Sequence, residues 1–211
     1  HNETDIQHFK NRIAELKKLA EEYQIHVFEG CELFLNHDCI NSINNHDMIP
    51  IENTSYLLVE FDVRKKLGEE YEVEDYLYEI DIKGYIPIIA HVERYFPNGI
   101  DMDRVAQLID SGYIIQINAS SLLGIHGKTV KNNAFELLNN GYAHVIASDT
   151  HRSSGHRIPC LNEVYQLLSK KYDYQILKTL MFDNPLHILQ NEEIEKIQVN
   201  QSFFKKLFRR R

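Results

Sequence analysis

Apolar residues recur at helical spacing over residues 4–23, where Ile6, Phe9, Ile13, Leu16 and Leu19 mark one face and Lys17 and Lys18 stand near the C-terminal turn. That combination predicts an amphipathic helix. A short apolar run follows at 25–33 (IHVFEGCEL), too short for a helix and suited to a strand. After a polar stretch rich in Asn and His, SYLLVEF at 55–61 reads as a second, buried strand. The pattern then alternates. Helices are expected over 72–83, 102–112, 129–141 and 159–171, with strands at 86–91 (IPIIAH), 113–118 (YIIQIN) and 143–149 (AHVIASD). Gly112 stops the second of these helices. Two shorter helical pieces are expected near 174–182 and 184–191. Strands alternating with helices of about 10–15 residues indicate an α/β fold, with a parallel sheet or an α/β barrel. No linker, low-complexity stretch or longer repeat interrupts this rhythm, so residues 1–202 are expected to form one domain.

Composition narrows the class. The chain has 211 residues, 43% of them hydrophobic, enough for a real core, with mixed rather than segregated charge. No apolar run reaches the roughly 18 residues of a membrane span, and nothing resembles a signal peptide. The net charge of −8 argues against general nucleic-acid binding. Three cysteines, Cys31, Cys39 and Cys160, show no CxxC spacing, which suggests a reducing compartment, hence the cytoplasm, and no disulfide framework. Residues 203–211 (FFKKLFRRR) hold five of the 23 basic residues, so residues 1–204 stand at 18 − 31 = −13. This tail is expected to be a solvated end. Its alternative is a contact with an acidic partner or an anionic membrane surface.

Candidate chemistry lies where the predicted strands finish. The first ends at Glu32, the second at Glu60 with Asp62 beyond it, the third at His91, the fourth at Asn118, and the fifth at Asp149 with His151. In α/β barrels this end builds the active site, because the βα loops converge there. Carboxylate and imidazole without thiolate suit a hard or borderline cation. Glu60, between Val59 and Phe61, would be costly to bury unless a cation balances it. Each residue has a plainer reading. Glu32 competes with Glu29 as a rim carboxylate, His91 suits a satisfied core imidazole, and Asp149 suits a turn. Together Glu32, Glu60, His91, Asp149 and His151, five acids and imidazoles at four strand ends, point to a polynuclear metal site. Arg94 and Arg157 follow His91 and His151 closely and would hold a phosphate through the guanidinium fork, with Arg152 less well placed. The competing reading for each arginine is a salt bridge, for Arg94 with Glu93. His8, His26, His37, His46, His126, His144 and His187 read as structural or solvent-facing. A cysteine nucleophile is excluded, because no arginine follows Cys31, Cys39 or Cys160 at the CxxxxxR spacing.

GCELF (30–34), YLLVEF (56–61), KGYIPIIAHVERY (83–95), IIQINASSLLG (114–124), HVIASDTH (144–151) and DNPLHIL (183–189) together resemble the PHP superfamily (polymerase and histidinol phosphatase). The resemblance is greatest to its manganese-dependent protein-tyrosine phosphatases encoded with bacterial capsule and exopolysaccharide genes. It implies a distorted (β/α)7 TIM-like barrel holding two or three Mn²⁺ ions. The implied activity is hydrolysis of phosphotyrosine by metal-activated water without a phosphoenzyme. The implied substrate is the tail of a membrane-associated tyrosine kinase that governs polysaccharide export. By matching motif, Glu32, Glu60, His91, Asp149 and His151 would be metal ligands and Arg94 and Arg157 would bind the phosphoryl group; in the implied mechanism His151 or a missing N-terminal residue would protonate the leaving phenolate. The family opens with an HxH strand that is not in this sequence. On that pattern the barrel is expected to be N-terminally incomplete by roughly 40 residues, about two strands, with His1 as a surviving ligand. Three alternatives stay open: a phosphatase of a small phosphomonoester of the histidinol phosphate type, a hydrolase of the amidohydrolase type, and a catalytically incomplete binding module.

Overall fold

The computed structural model describes residues 3–45, 48–64, 72–155 and 157–199. His1, His46 and the basic tail 203–211 lie outside the described residues. The chain opens with helix α1 (Glu3–Glu21), then strand β1 (Glu32–Phe34), helix α2 (Cys39–Asn44) and strand β2 (Tyr56–Glu60). Helix α3 (Glu72–Ile82) leads to β3 (Ile86–Ile89), α4 (Met102–Asp110) to β4 (Ile114–Asn118), and α5 (Ala119–Leu123) with α6 (Lys128–Asn139) to β5 (Val145–Ala147). Helices α7 (Leu161–Leu168), α8 (Tyr174–Lys178) and α9 (Asn184–Leu189) follow, the last two joined without a break by a π-helical turn at Thr179–Asp183.

The five strands lie in chain order, β1-β2-β3-β4-β5, and every pair is parallel. Each crossover carries helix, as a parallel connection requires. This bears out the α/β expectation and is the arc of a βα barrel.

Side-chain alternation divides the sheet into two faces. Leu57, Val59, Ile89, Ile115, Ile117 and Ile146 face the helices and join Leu77, Ile80, Leu137 and Leu168 in the main core. The inner face carries Tyr56, Ile88, Ile114 and Val145, covered in part by Ile188 of α9. The inner face also bears the residues of interest, since Glu60 follows Tyr56 and Leu58 at period two.

Local signals explain the ends of elements. The Asp101 carboxylate accepts the Arg104 N–H at 3.0 Å and caps α4. Gly112 (φ 88°) closes that helix in the left-handed region. Gly141 has φ 75°, and a Cβ there would sit 2.8 Å from the Ile197 carbonyl oxygen, so the segment after α9 can lie against the entry to β5.

The structure departs from expectation in four places. The first strand is only Glu32–Phe34, so Glu32 opens it rather than ending it. Residues 29–31 bond instead to the loop before β2, with Cys31 N–H donating to Ile49 O at 2.9 Å and Glu52 N–H to Glu29 O at 2.7 Å. Helix α2 was hidden in an Asn-rich stretch, yet it buries Cys39 and Ile43, four residues apart. Helix α5 follows β4 directly, where the pattern predicts no element. The two terminal helical pieces are one continuous run from Tyr174 to Leu189.

Candidate metal and phosphoryl site

The start of β1, the end of β2 and the turn after β3 converge on one point. The Glu60 carboxylate stands 3.2 Å from His91 Nε2, and Glu32 stands 3.7 Å from the same nitrogen. One ligand atom from each of Glu32, Glu60 and His91 lies within 4.8 Å of the other two. His91 is buried, and its Nδ1 has no hydrogen-bond partner among the described residues. Burial pushes the Glu32 carboxyl up, and the negative charge of Glu60 adds to this. Two carboxylates facing each other over an imidazole are an unfavourable arrangement that a cation relieves. The oxygen, oxygen and nitrogen donors, with no thiolate, fit a divalent ion of the magnesium or manganese kind.

Backbone conformation aims His91. It sits at φ 38°, in the left-handed region, at the start of a 3₁₀ turn over Val92–Arg94. The Phe61 N–H donates to the Tyr95 hydroxyl at 3.0 Å and their rings meet edge to face, which ties the end of β2 to this turn. Tyr95 is fully buried, and burial raises its pKa, so the hydroxyl stays neutral.

Asp149 and His151 do not enter the three-donor cluster. Asp149, at φ 50°, forms its own group on the same cavity wall. Its Oδ1 accepts from Arg157 at 2.6 Å and lies 3.3 Å from His151 Nδ1, while its Oδ2 accepts from Asn118 Nδ2 at 2.9 Å. The His151 ring is half exposed. Glu32, His91, Asp149 and His151 all line a cavity of about 550 Å³ whose far wall is the apolar inner face of the sheet, with Leu58, Ile88 and Val145.

The two arginines differ. Arg94 is half-buried and forms no ion pair with any described residue. The pairing with Glu93 weighed from the sequence is absent because Glu93 points the opposite way, into the core. Its Oε1 accepts from Ser121 Oγ at 2.5 Å and from the Asn118 N–H at 3.1 Å, and burial raises its carboxyl pKa. Arg157 does form a salt bridge, with Asp149. Arg152 is exposed.

Two kinds of residue escaped the sequence reading. Gln116, an amide inside a buried strand, accepts the His91 N–H at 2.7 Å; the argument that singled out Glu60 applies to it equally. His126, which reads from the sequence as structural or solvent-facing, lies within electrostatic reach of Arg94, Asp149, Arg157 and His91. Burial, then the charge of Arg94, lowers its pKa, and its Nε2 stands 2.9 Å from Ser120 Oγ. His144 is structural as expected. All three thiols are raised by burial, so none is an activated nucleophile.

Residues 1–190 match the capsular polysaccharide synthesis family CpsB/CapC. The chain belongs to this family. Among CpsB/CapC relatives, CapC of Staphylococcus aureus is 32% identical over 204 residues, covering 96% of this chain and 78% of that protein. The tyrosine-protein phosphatase CpsB of Streptococcus pneumoniae is 27% identical over 199 residues, covering 91% and 80%. The fold superposes with a TM-score of 0.76, at 26% identity, on a chain from the crystal structures of YwqE from Bacillus subtilis and CpsB from Streptococcus pneumoniae, described as metal-dependent tyrosine phosphatases. That match covers 88% of this chain and 74% of the other. Among the described residues of this CpsB/CapC chain, no helix is long and apolar enough to cross a membrane.

Proposed function

We propose that this chain is a metal-dependent protein-tyrosine phosphatase acting in capsular or exopolysaccharide synthesis. The observation that carries the reading is the Glu32–Glu60–His91 donor cluster with Arg94 paired with no described carboxylate, in a family whose CpsB members are named tyrosine phosphatases. Manganese is the ion proposed for Glu32, Glu60 and His91, with Asp149 completing the acidic set and His1 as a further ligand. Such an ion, when bound, would supply an acidified water and offset phosphoryl charge.

The chain's own residues do the rest. Arg94 and Arg157 bind phosphoryl oxygens and balance the charge that grows on them. Of the two roles read for His151, its half-exposed ring with Nδ1 against Asp149 favours proton delivery. The ring holds at Nε2 the proton that the departing phenolate oxygen takes. The apolar inner wall of the cavity excludes water on one side. The substrate proposed is a phosphotyrosyl segment of a membrane-associated bacterial tyrosine kinase. Residues 1–202 serve as the catalytic domain in the cytoplasm, with the basic tail 203–211 as a solvated end or as a contact for an acidic partner or an anionic membrane surface.

The test is turnover of phosphotyrosyl peptide, phosphoseryl peptide and histidinol phosphate, with Mn²⁺ and with EDTA. Preference for phosphotyrosine, abolished by EDTA, supports the reading. Preference for histidinol phosphate moves the chain to small phosphomonoesters. No turnover of any substrate with bound Mn²⁺ overturns the phosphatase assignment.

A further inference from the structure

Strand β4 contributes two amides to the inner face, Gln116 and Asn118, both buried. Each uses both ends of its side chain. Gln116 Oε1 accepts the His91 N–H at 2.7 Å, and Gln116 Nε2 donates to Asn118 Oδ1 at 2.9 Å and to Ile117 O at 2.9 Å. Asn118 Nδ2 donates onward to Asp149 Oδ2 at 2.9 Å. The direction of this chain is dictated by its ends. A backbone N–H at His91 needs an acceptor and a carboxylate at Asp149 needs a donor, so neither amide can be turned over without leaving a buried group unmet.

The fold does not call for these amides. On the inner face Gln116 follows the apolar Ile114 at period two and stands in register with the apolar Val145 on β5. An aliphatic pair at 116 and 118 would extend that surface, whereas burying two amides costs free energy unless every bond is made. What the pair does provide is a link between the two halves of the site. It meets Asp149 on one side and, on the other, His91, whose left-handed backbone needs to be held by its surroundings.

We propose that Gln116 and Asn118 are positioning residues that set the spacing between the Glu32–Glu60–His91 cluster and the Asp149–Arg157 group. They govern how tightly the assembled site takes a divalent cation. The proposal rests on the metal-dependent reading above. Neither residue touches the substrate.

The experiment titrates Mn²⁺ by the electron paramagnetic resonance of the free ion, in the wild type, Gln116→Met, Asn118→Leu and the double variant. Thermal unfolding is followed alongside, and kcat and KM are taken on p-nitrophenyl phosphate. Each single change is expected to weaken Mn²⁺ binding about 10–100-fold, as for other groups that orient ligands from outside. The double variant is expected to be no worse than the weaker single, because breaking either bond already separates the halves. Wild-type Mn²⁺ affinity in the folded variants, with only a lower melting temperature, overturns the proposal, and so does a double loss equal to the product of the singles. Should a larger side chain prevent folding, Asn118→Ala only removes atoms and carries the same test. Wild-type protein that binds Mn²⁺ but does not hydrolyse p-nitrophenyl phosphate ends the phosphatase reading and leaves this one to the titration. Wild-type protein that binds no Mn²⁺ ends both.

Discussion

His144 connects β4, β5 and the response of the fold to acid. Its Nδ1 accepts the Ile115 N–H at 2.9 Å, so that nitrogen must be unprotonated in the native state. Burial, with a smaller push from Lys196, lowers its pKa from 6.5 to about 4. The unfolded chain therefore takes up a proton that the folded chain refuses. The contribution is complete above the unfolded value of 6.5 and is lost as pH falls through the window down to about 4. Linkage puts the loss at about 1.4 kcal/mol by pH 5.5 and about 2.6 kcal/mol by pH 4.5.

The perturbation is His144→Asn, which keeps an acceptor near the position of Nδ1 and has no group that titrates. Urea unfolding of both proteins, followed by circular dichroism at pH 7.5, 5.5 and 4.5, gives the difference directly. Glu32 and Glu93, whose raised carboxyls act in the opposite sense, occur in both proteins and cancel. The wild type is expected to lose those amounts relative to the variant. Stability curves that fall in parallel with pH would refute the assignment of a neutral, buried imidazole.

Three further predictions concern the site. Glu60→Gln should cut kcat/KM for p-nitrophenyl phosphate by more than the roughly 10–100-fold typical of groups outside the ligand set, with Mn²⁺ affinity falling in the same preparation. Arg94→Ala should lower kcat/KM by about 10²–10³, the scale for losing one charge-stabilising donor. Because Arg94 pairs with no described carboxylate, its thermal melt should match the wild type; a large drop would mean the residue is structural. EDTA should abolish turnover and added Mn²⁺ restore it, whereas iodoacetamide should leave the rate unchanged, since burial raises all three thiols. Inactivation by iodoacetamide would reopen the thiol mechanism.

What the sequence made legible follows from burial. YLLVE declares a strand because both faces are apolar, and Glu60 stands out there because nothing else polar does. His91 and Asp149 are visible because each closes an apolar run. Glu32 does line the cavity, but at the start of its strand rather than the expected end, since bonds from residues 29–31 to a distant loop leave no trace in local pattern. Helix α2 is silent because Asn and Ser supply its exposed side. The gap between the three-donor cluster and the Asp149 group was equally invisible, because it depends on which partner the Arg157 and Asn118 side chains choose. Nor does any pattern announce that His91 adopts a left-handed backbone.

That last feature bears on how such a protein changes under selection. His91, Asp149 and Arg157 all occupy positive φ, at 38°, 50° and 63°, where glycine would rest without strain. Each position stores on the order of 1 kcal/mol or more. A screen for heat tolerance alone would therefore reward replacing these residues and so erode the very groups proposed to meet the phosphate and the ion. Robustness and turnover pull against each other at these three positions, and a lineage that drifts into a purely binding role should lose its unusual backbone there first.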